Sequence, residues 1–219
     1  MEYKTHQPCP DCGSSDALAY YEWGTKCFSC DTARPYKNGN QMQNIQAPKK
    51  IVNMNQQPKN FIVSDIPDRK ITTETCKRYG VSVVKDGNMI TEHMYKYYDK
   101  DSNHIGTKFR RTSDKQFWSE GNLSEAGLFG QNIFGQAGKF ITICEGELDA
   151  MSAYQLLGSK WPVVSIKNGA QSALKNCRQA LDYLNKFDTI VLCFDNDQQG
   201  KDAQQAVAKL FEPNKCKIM

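Results

Sequence analysis

The apolar residues of this 219-residue chain keep no single rhythm, and the chain divides where the rhythm changes. Residues 34–60 read RPYKNGNQMQNIQAPKKIVNMNQQPKN, rich in Asn, Gln, Lys and Pro, with no sustained period of two or 3.6. Such a stretch buries too little to offset its ordering entropy, so it reads as a flexible linker. Beyond it, residues 72–79 predict a short helix, with Thr72 as N-cap and Gly80 as its stop. Strand-like pieces follow at 81–84, 89–98, 105–111 and 116–118, separated by turn signals such as Asp86-Gly87-Asn88. They predict a mixed, antiparallel subdomain over 61–138. From residue 140 the pattern becomes strict alternation, with strands at 140–144, 162–166 and 189–194 and helices at 148–157, 173–184 and 199–210. Strands apolar on both faces and joined by helices describe a parallel, doubly wound sheet. A fourth strand begins at Cys216 and the chain stops at Met219, which reads as an α/β repeat cut short.

Ahead of the linker stand Cys9-x-x-Cys12 and Cys27-x-x-Cys30, the spacing of a tetrahedral zinc site in a small ribbon over residues 1–33. A redox pair and a disulfide framework are the rival readings. Pro8, Pro10 and Gly13 do not suit the strand-to-helix junction of a redox pair. Disulfides call for an oxidising compartment, and no apolar signal segment precedes Cys9. The other five cysteines, Cys76, Cys144, Cys177, Cys193 and Cys216, are scattered singly, as reduced thiols used as small hydrophobes are. No stretch approaches the roughly twenty apolar residues of a membrane span.

Charge is modest overall, at +4, but uneven. Residues 34–115 carry 16 basic against 8 acidic side chains, while residues 1–33 carry 2 against 5. That middle excess predicts a polyanionic partner. In open α/β sheets, ligands bind at the carboxyl ends of the strands. Two of the predicted strands run there into acids: Glu145-Gly146-Glu147-Leu148-Asp149 and Asp195-Asn196-Asp197. Asp195 and Asp197, at i and i+2, would face one side and share a cation. The second strand ends in Lys167-Asn168-Gly169-Ala170, a turn suited to phosphate. Oxygen ligands without histidine favour Mg²⁺ or Mn²⁺, and carboxylates holding Mg²⁺ against phosphates serve nucleotidyl transfer and phosphodiester chemistry.

EGELD (145–149), KNGA (167–170) and FDND (194–197) resemble the three ordered motifs of the Toprim fold, and GLFG (127–130) resembles a segment of DnaG-type primases. Ribbon, linker, basic subdomain and Toprim, in that order, resemble the primase half of the T7-type phage primase–helicases. The resemblance implies a Rossmann-like α/β Toprim sheet over 139–219, a mixed α+β basic subdomain over 61–138 and a small β zinc ribbon. It implies a DNA primase that makes short RNA primers on single-stranded DNA from ribonucleoside triphosphates, with one structural Zn²⁺ and catalytic Mg²⁺. Its partners would be a replicative helicase domain downstream in the same polypeptide and the phage DNA polymerase, in the host cytoplasm. Glu145, Asp195 and Asp197 match the magnesium-binding acids. Lys108 and Lys115 match the family's lysines, with Arg110, Arg111 and Lys167 beside them for phosphate. On the ribbon, which in the family reads the template, Trp23 and Tyr21 are candidates for stacking on bases.

Two departures stand out. Glu22-Trp23-Gly24-Thr25-Lys26 lacks the histidine of the T7-type ribbon. The family's further metal-binding aspartate falls past Met219, which predicts weak magnesium binding and low activity for these residues alone. Two other classes use the same features: a Toprim nuclease or topoisomerase relative, and a non-catalytic zinc-dependent DNA-binding module.

Overall fold

Residues 7–9, 17–21, 24–28, 32–35, 59–135 and 137–219 are described by the computed structural model. The chain forms two compact units, Met1–Asn55 and Gln56–Met219. In the first, β1 (Leu18–Tyr21), β2 (Gly24–Cys27) and β3 (Ala33–Pro35) make an antiparallel three-stranded sheet in sequence order. Cys9, Leu18 and Cys27 are its small buried cluster. The predicted linker falls almost wholly outside the described residues.

The second unit holds both remaining sheets on one continuous core. It begins with a 3-10 turn, Pro67–Arg69, and the helix α1 (Thr73–Tyr79). α1 obeys its sequence signals: Thr72 Oγ1 accepts the amide of Thr75, and Gly80 closes the helix at a φ of 67°. Four antiparallel strands follow in order, β4 (Ser82–Asp86), β5 (Met89–Tyr98), β6 (His104–Arg111) and β7 (Phe117–Gly121). The parallel sheet contains β8 (Gly138–Cys144), β9 (Val163–Ser165), β10 (Phe187–Cys193) and β11 (Cys216–Ile218), ordered β11-β10-β8-β9. Its crossovers carry α2 (Glu147–Leu156), α3 (Ala173–Gln179), α4 (Leu181–Leu184) and α5 (Gln198–Ala208). The helix predicted over 173–184 is therefore two, broken at Ala180. The bend lets Asn176 and Cys177 on one side and Tyr183 and Leu184 on the other all reach the core.

One face of the antiparallel sheet packs toward the parallel one. Residues directly opposite in an antiparallel ladder share a face, so His93, Tyr95, Lys108, Arg110 and Phe117 lie on one side. Tyr95, Tyr97 and Tyr79 surround the fully buried Phe129 of the GLFG segment. Phe129 also exchanges both backbone hydrogen bonds with Ser165, at 2.9 and 3.1 Å, which closes the free edge of β9. Gly127 N–H donates to Tyr98 O, so the same segment is tied to both sheets.

His93 sits buried on that inner face, its Nδ1 2.9 Å from Tyr95 Oη. Burial, and then the nearby Arg110 guanidinium, pull its pKa down from 6.5 to about 4, against the weaker pull of Asp68 and Glu147. The folded imidazole is neutral where the unfolded one takes a proton. Its contribution is complete above about pH 6.5 and falls as pH drops toward 4, by up to about 3 kcal/mol. Thermal melts from pH 7 to pH 4 should fall more steeply for the wild type than for His93→Gln. Parallel curves would show that His93 is not the buried neutral group.

Candidate active site

β8 and β10 lie side by side with Cys144 opposite Cys193, so the residues after them emerge at one edge. Glu145 is fixed there by two amides: Ala170 N–H donates to Oε1 at 3.0 Å and Asp195 N–H to Oε2 at 3.3 Å. One carboxylate thereby ties together the ends of β8, β9 and β10. Asp149, in the first turn of α2, folds back to accept the Gly146 amide. A Cβ on Gly146 would stand 2.6 Å from Asp149 Oδ2, so a larger residue there would push that carboxyl aside. Packing around the Asp149 carboxyl, and then the charge of Asp195, raise its pKa, while Arg69 opposes them.

Crowded carboxylates of this kind repel one another, and a divalent cation relieves the repulsion. The donors are all hard oxygens, which fits Mg²⁺. Among the described residues no three His, Cys, Asp or Glu side chains already stand in liganding positions. Waters and phosphate oxygens would complete the shell, as is usual for this ion. Asp149, not among the acids that the family resemblance marks, stands close enough to Asp195 to feel its charge. Asp197 is placed differently from expectation. β10 ends at Cys193, so 195–197 is not strand, and Asp197 Oδ1 caps α5 by accepting Gly200 N–H at 2.7 Å. Gly200 is needed because a Cβ there would lie 2.1 Å from Asp195 O.

Across from the acids, Lys108 of β6 donates to Glu147 Oε1 at 2.7 Å and to Lys167 O at 2.6 Å. Tyr97 Oη donates to the same Glu147 oxygen at 2.6 Å. Glu147 is thus a buried structural anion. Arg110 lies near the Phe117 ring, and its buried Nε has no hydrogen-bond partner among the described residues. Arg111, on the opposite face, pairs with Asp114 at 3.0 Å. Lys115 is exposed, in the turn between β6 and β7, at a φ of 57°.

Lys167 does not offer its charge to a ligand, contrary to the expectation from its turn. It is 3% exposed, and Nζ donates to Ala126 O, Ser124 O and Gln179 Oε1. Burial, and then Lys175, pull its pKa down to about 8. The turn's free amide serves Glu145 instead of phosphate.

In the first unit, Cys9 and Cys27 are both buried with scant apolar cover, which suits thiolates held by a metal. Cys12, Cys30 and Trp23 lie outside the described residues. Tyr21 is half-buried at the end of β1. Phe28, beside Cys27 and 65% exposed under Lys26, is the aromatic that sequence reasoning passed over.

A family profile described as Toprim-like matches residues 142–219. The chain is 30% identical over 224 residues to the DNA helicase/primase of Enterobacteria phage T3, matching 97% of this chain and 38% of that protein. It therefore spans well under half the length of that relative. The crystal structure of the primase fragment of the bacteriophage T7 primase–helicase covers 99% of this chain and 90% of its own, with TM-score 0.66 and 29% identity. T7 primase domains, solved with the lagging-strand DNA polymerase and bound to an RNA/DNA hybrid and dTTP, align with TM-score 0.65 and 32% identity over 73% of this chain and 80% of theirs. Toprim sheet, acid edge and facing antiparallel sheet define a DNA primase core. The chain belongs to the T7-type phage primase–helicases, and corresponds to their primase portion.

The two roles open to Asp197 separate in experiment. Asp197→Ala should cost about 1 kcal/mol of stability in urea denaturation, and Asp197→Ser should recover most of it. A stability loss that only a carboxylate repairs would mean that the cap is not what Asp197 contributes.

Proposed function

We propose that this chain synthesises short RNA primers on single-stranded DNA by Mg²⁺-dependent transfer of ribonucleotides. The observation that carries the reading is Glu145. Two backbone amides aim it at the strand edge, beside the crowded Asp149 and Asp195, opposite a sheet bearing Arg110 and Lys115. Magnesium held by Glu145, Asp149 and Asp195 would lower the pKa of a primer 3′ hydroxyl and polarise the α-phosphate. The amides of Ala170 and Asp195 hold the Glu145 carboxylate in one orientation, so no side-chain search precedes binding. Arg110 and Lys115 neutralise triphosphate and template phosphates on the facing sheet. Lys108 positions that sheet through Glu147.

The ribbon would hold one Zn²⁺ through Cys9, Cys12, Cys27 and Cys30 and select the template site. The T3 relative is a helicase and primase in one polypeptide, and T7 primase domains interact with their DNA polymerase. A helicase domain and a phage DNA polymerase are the partners that we assign by this likeness, in the cytoplasm of the bacterial host. No helix among the described residues is long and apolar enough to cross a membrane.

Incubation of these residues with single-stranded DNA, labelled ribonucleotides and Mg²⁺ should yield short RNA at a low level, and Asp195→Ala should remove it while retaining DNA. Cleaved DNA would indicate a nuclease, and retention without either product a binding module. Undiminished synthesis by Asp195→Ala would put the metal elsewhere.

Metal analysis of the purified chain should find one zinc. Cys9→Ser should lose the zinc yet leave the cooperative unfolding of residues 56–219 in place, because that unit has its own core. A zinc content unaffected by Cys9→Ser would sink the four-cysteine assignment.

A further inference from the structure

The two consecutive aromatics of β7 meet different fates. Trp118 faces outward but is covered: Phe109 stacks on it at 5.2 Å and 9°, with Lys59 and Arg111 5.4 and 5.8 Å from its ring centre. Phe61 continues that cover over Phe109. Phe117 points to the inner face, toward the acid edge, and no aromatic ring among the described residues stacks on it. Half of its surface remains exposed. A half-exposed ring is ordinary on its own, and what sets Phe117 apart is its surroundings.

The ring's neighbours are cations. Lys108 Nζ stands 4.7 Å from its centroid and the Arg110 guanidinium 5.8 Å. The same Lys108 reaches Glu147, two residues from both Glu145 and Asp149, so the ring borders the acid centre. Arg110 keeps a buried Nε without a partner, and Lys115 is exposed two residues before the ring. A half-exposed π-face beside Arg110, whose Nε lacks an acceptor, and the exposed Lys115 matches a nucleotide, whose base stacks while its phosphate takes the charge.

We infer that Phe117 is a stacking platform for a nucleobase at the active site. Resting on the primase reading, the assignment adds the element that grips a base rather than a phosphate. Stacking accepts any base, so this contact holds position without selecting sequence. The base belongs either to the template strand or to a bound ribonucleotide, and both present the same flat π-surface.

The test uses the zinc-loaded full chain with Mg²⁺. Affinity for a fluorescein-labelled single-stranded DNA oligonucleotide is read by anisotropy across a salt series, and KM for ATP is read in the primer assay. Phe117→Ala and Phe117→Leu should each weaken one of these by about tenfold, and F117W should restore it. The slope of log Kd against log salt should stay unchanged, since no phosphate contact is lost. A change in DNA affinity assigns the base to the template, and a change in KM alone assigns it to the nucleotide. Recovery with F117L, a flattened salt slope, or neither quantity moving while the wild type works normally would each overturn the platform. A wild type that neither retains DNA nor makes RNA would instead overturn the primase reading itself.

Discussion

The buried pair between Lys108 and Glu147 holds the two halves of the catalytic unit in register. Lys108 belongs to the antiparallel sheet and Glu147 to the first turn of α2, beside the parallel sheet. Both are nearly closed off from water, and Tyr97 completes the coordination of the carboxylate. Such a pair adds little net stability over an apolar contact of similar volume, yet breaking it strands a buried charge at about 3–5 kcal/mol. Its value is geometric. By accepting Lys108 and Tyr97 together, Glu147 fixes how far the cationic face stands from the acids, and Lys108 reaches on to the carbonyl of Lys167 at the end of β9.

Around that pair the polar groups divide into spent and unspent. Lys167, Glu147 and Trp118 are consumed in holding the fold, by carbonyls, a lysine and an aromatic stack respectively, and one oxygen of Asp197 by a helix amide. Glu145 is oriented but not neutralised, because amides supply dipoles rather than a counter-charge. Asp149 and Asp195 repel each other. Arg110 has a donor without an acceptor, and Phe117 an open ring. The acids stand at the carboxyl edge of the parallel sheet, and Arg110 and Phe117 on the inner face of the antiparallel one. Such unsatisfied groups cost stability, which the large aromatic core around Phe129 offsets.

Much of the architecture was legible in the residues because it follows from short-range rules. Period-two and strand–helix alternation placed β5 at Met89–Tyr98 and the whole parallel sheet to within a few residues. Thr72 and Gly80 bounded α1 because capping is decided within one helical turn. Strands that end in acids had to deliver Glu145 and Asp195 to the same edge, since all strands of a parallel sheet point one way. Family likeness then supplied Lys108 and Lys115, which no periodicity marks.

What each polar group does once there was decided only by folding. Lys167 turns inward to a carbonyl 41 residues away, and Lys108 finds a carbonyl 59 residues on. Asp149 comes beside Asp195 because α2 folds it back over Gly146, while β10 stops at Cys193 and a helix amide takes one oxygen of Asp197. Phe117 and Trp118 look equivalent as text and differ only in which sheet face already has a lid. Hydrogen-bond partners, burial and cover depend on chain segments far apart in sequence, so composition and spacing locate the functional surface while packing alone determines which of its groups remain free to act.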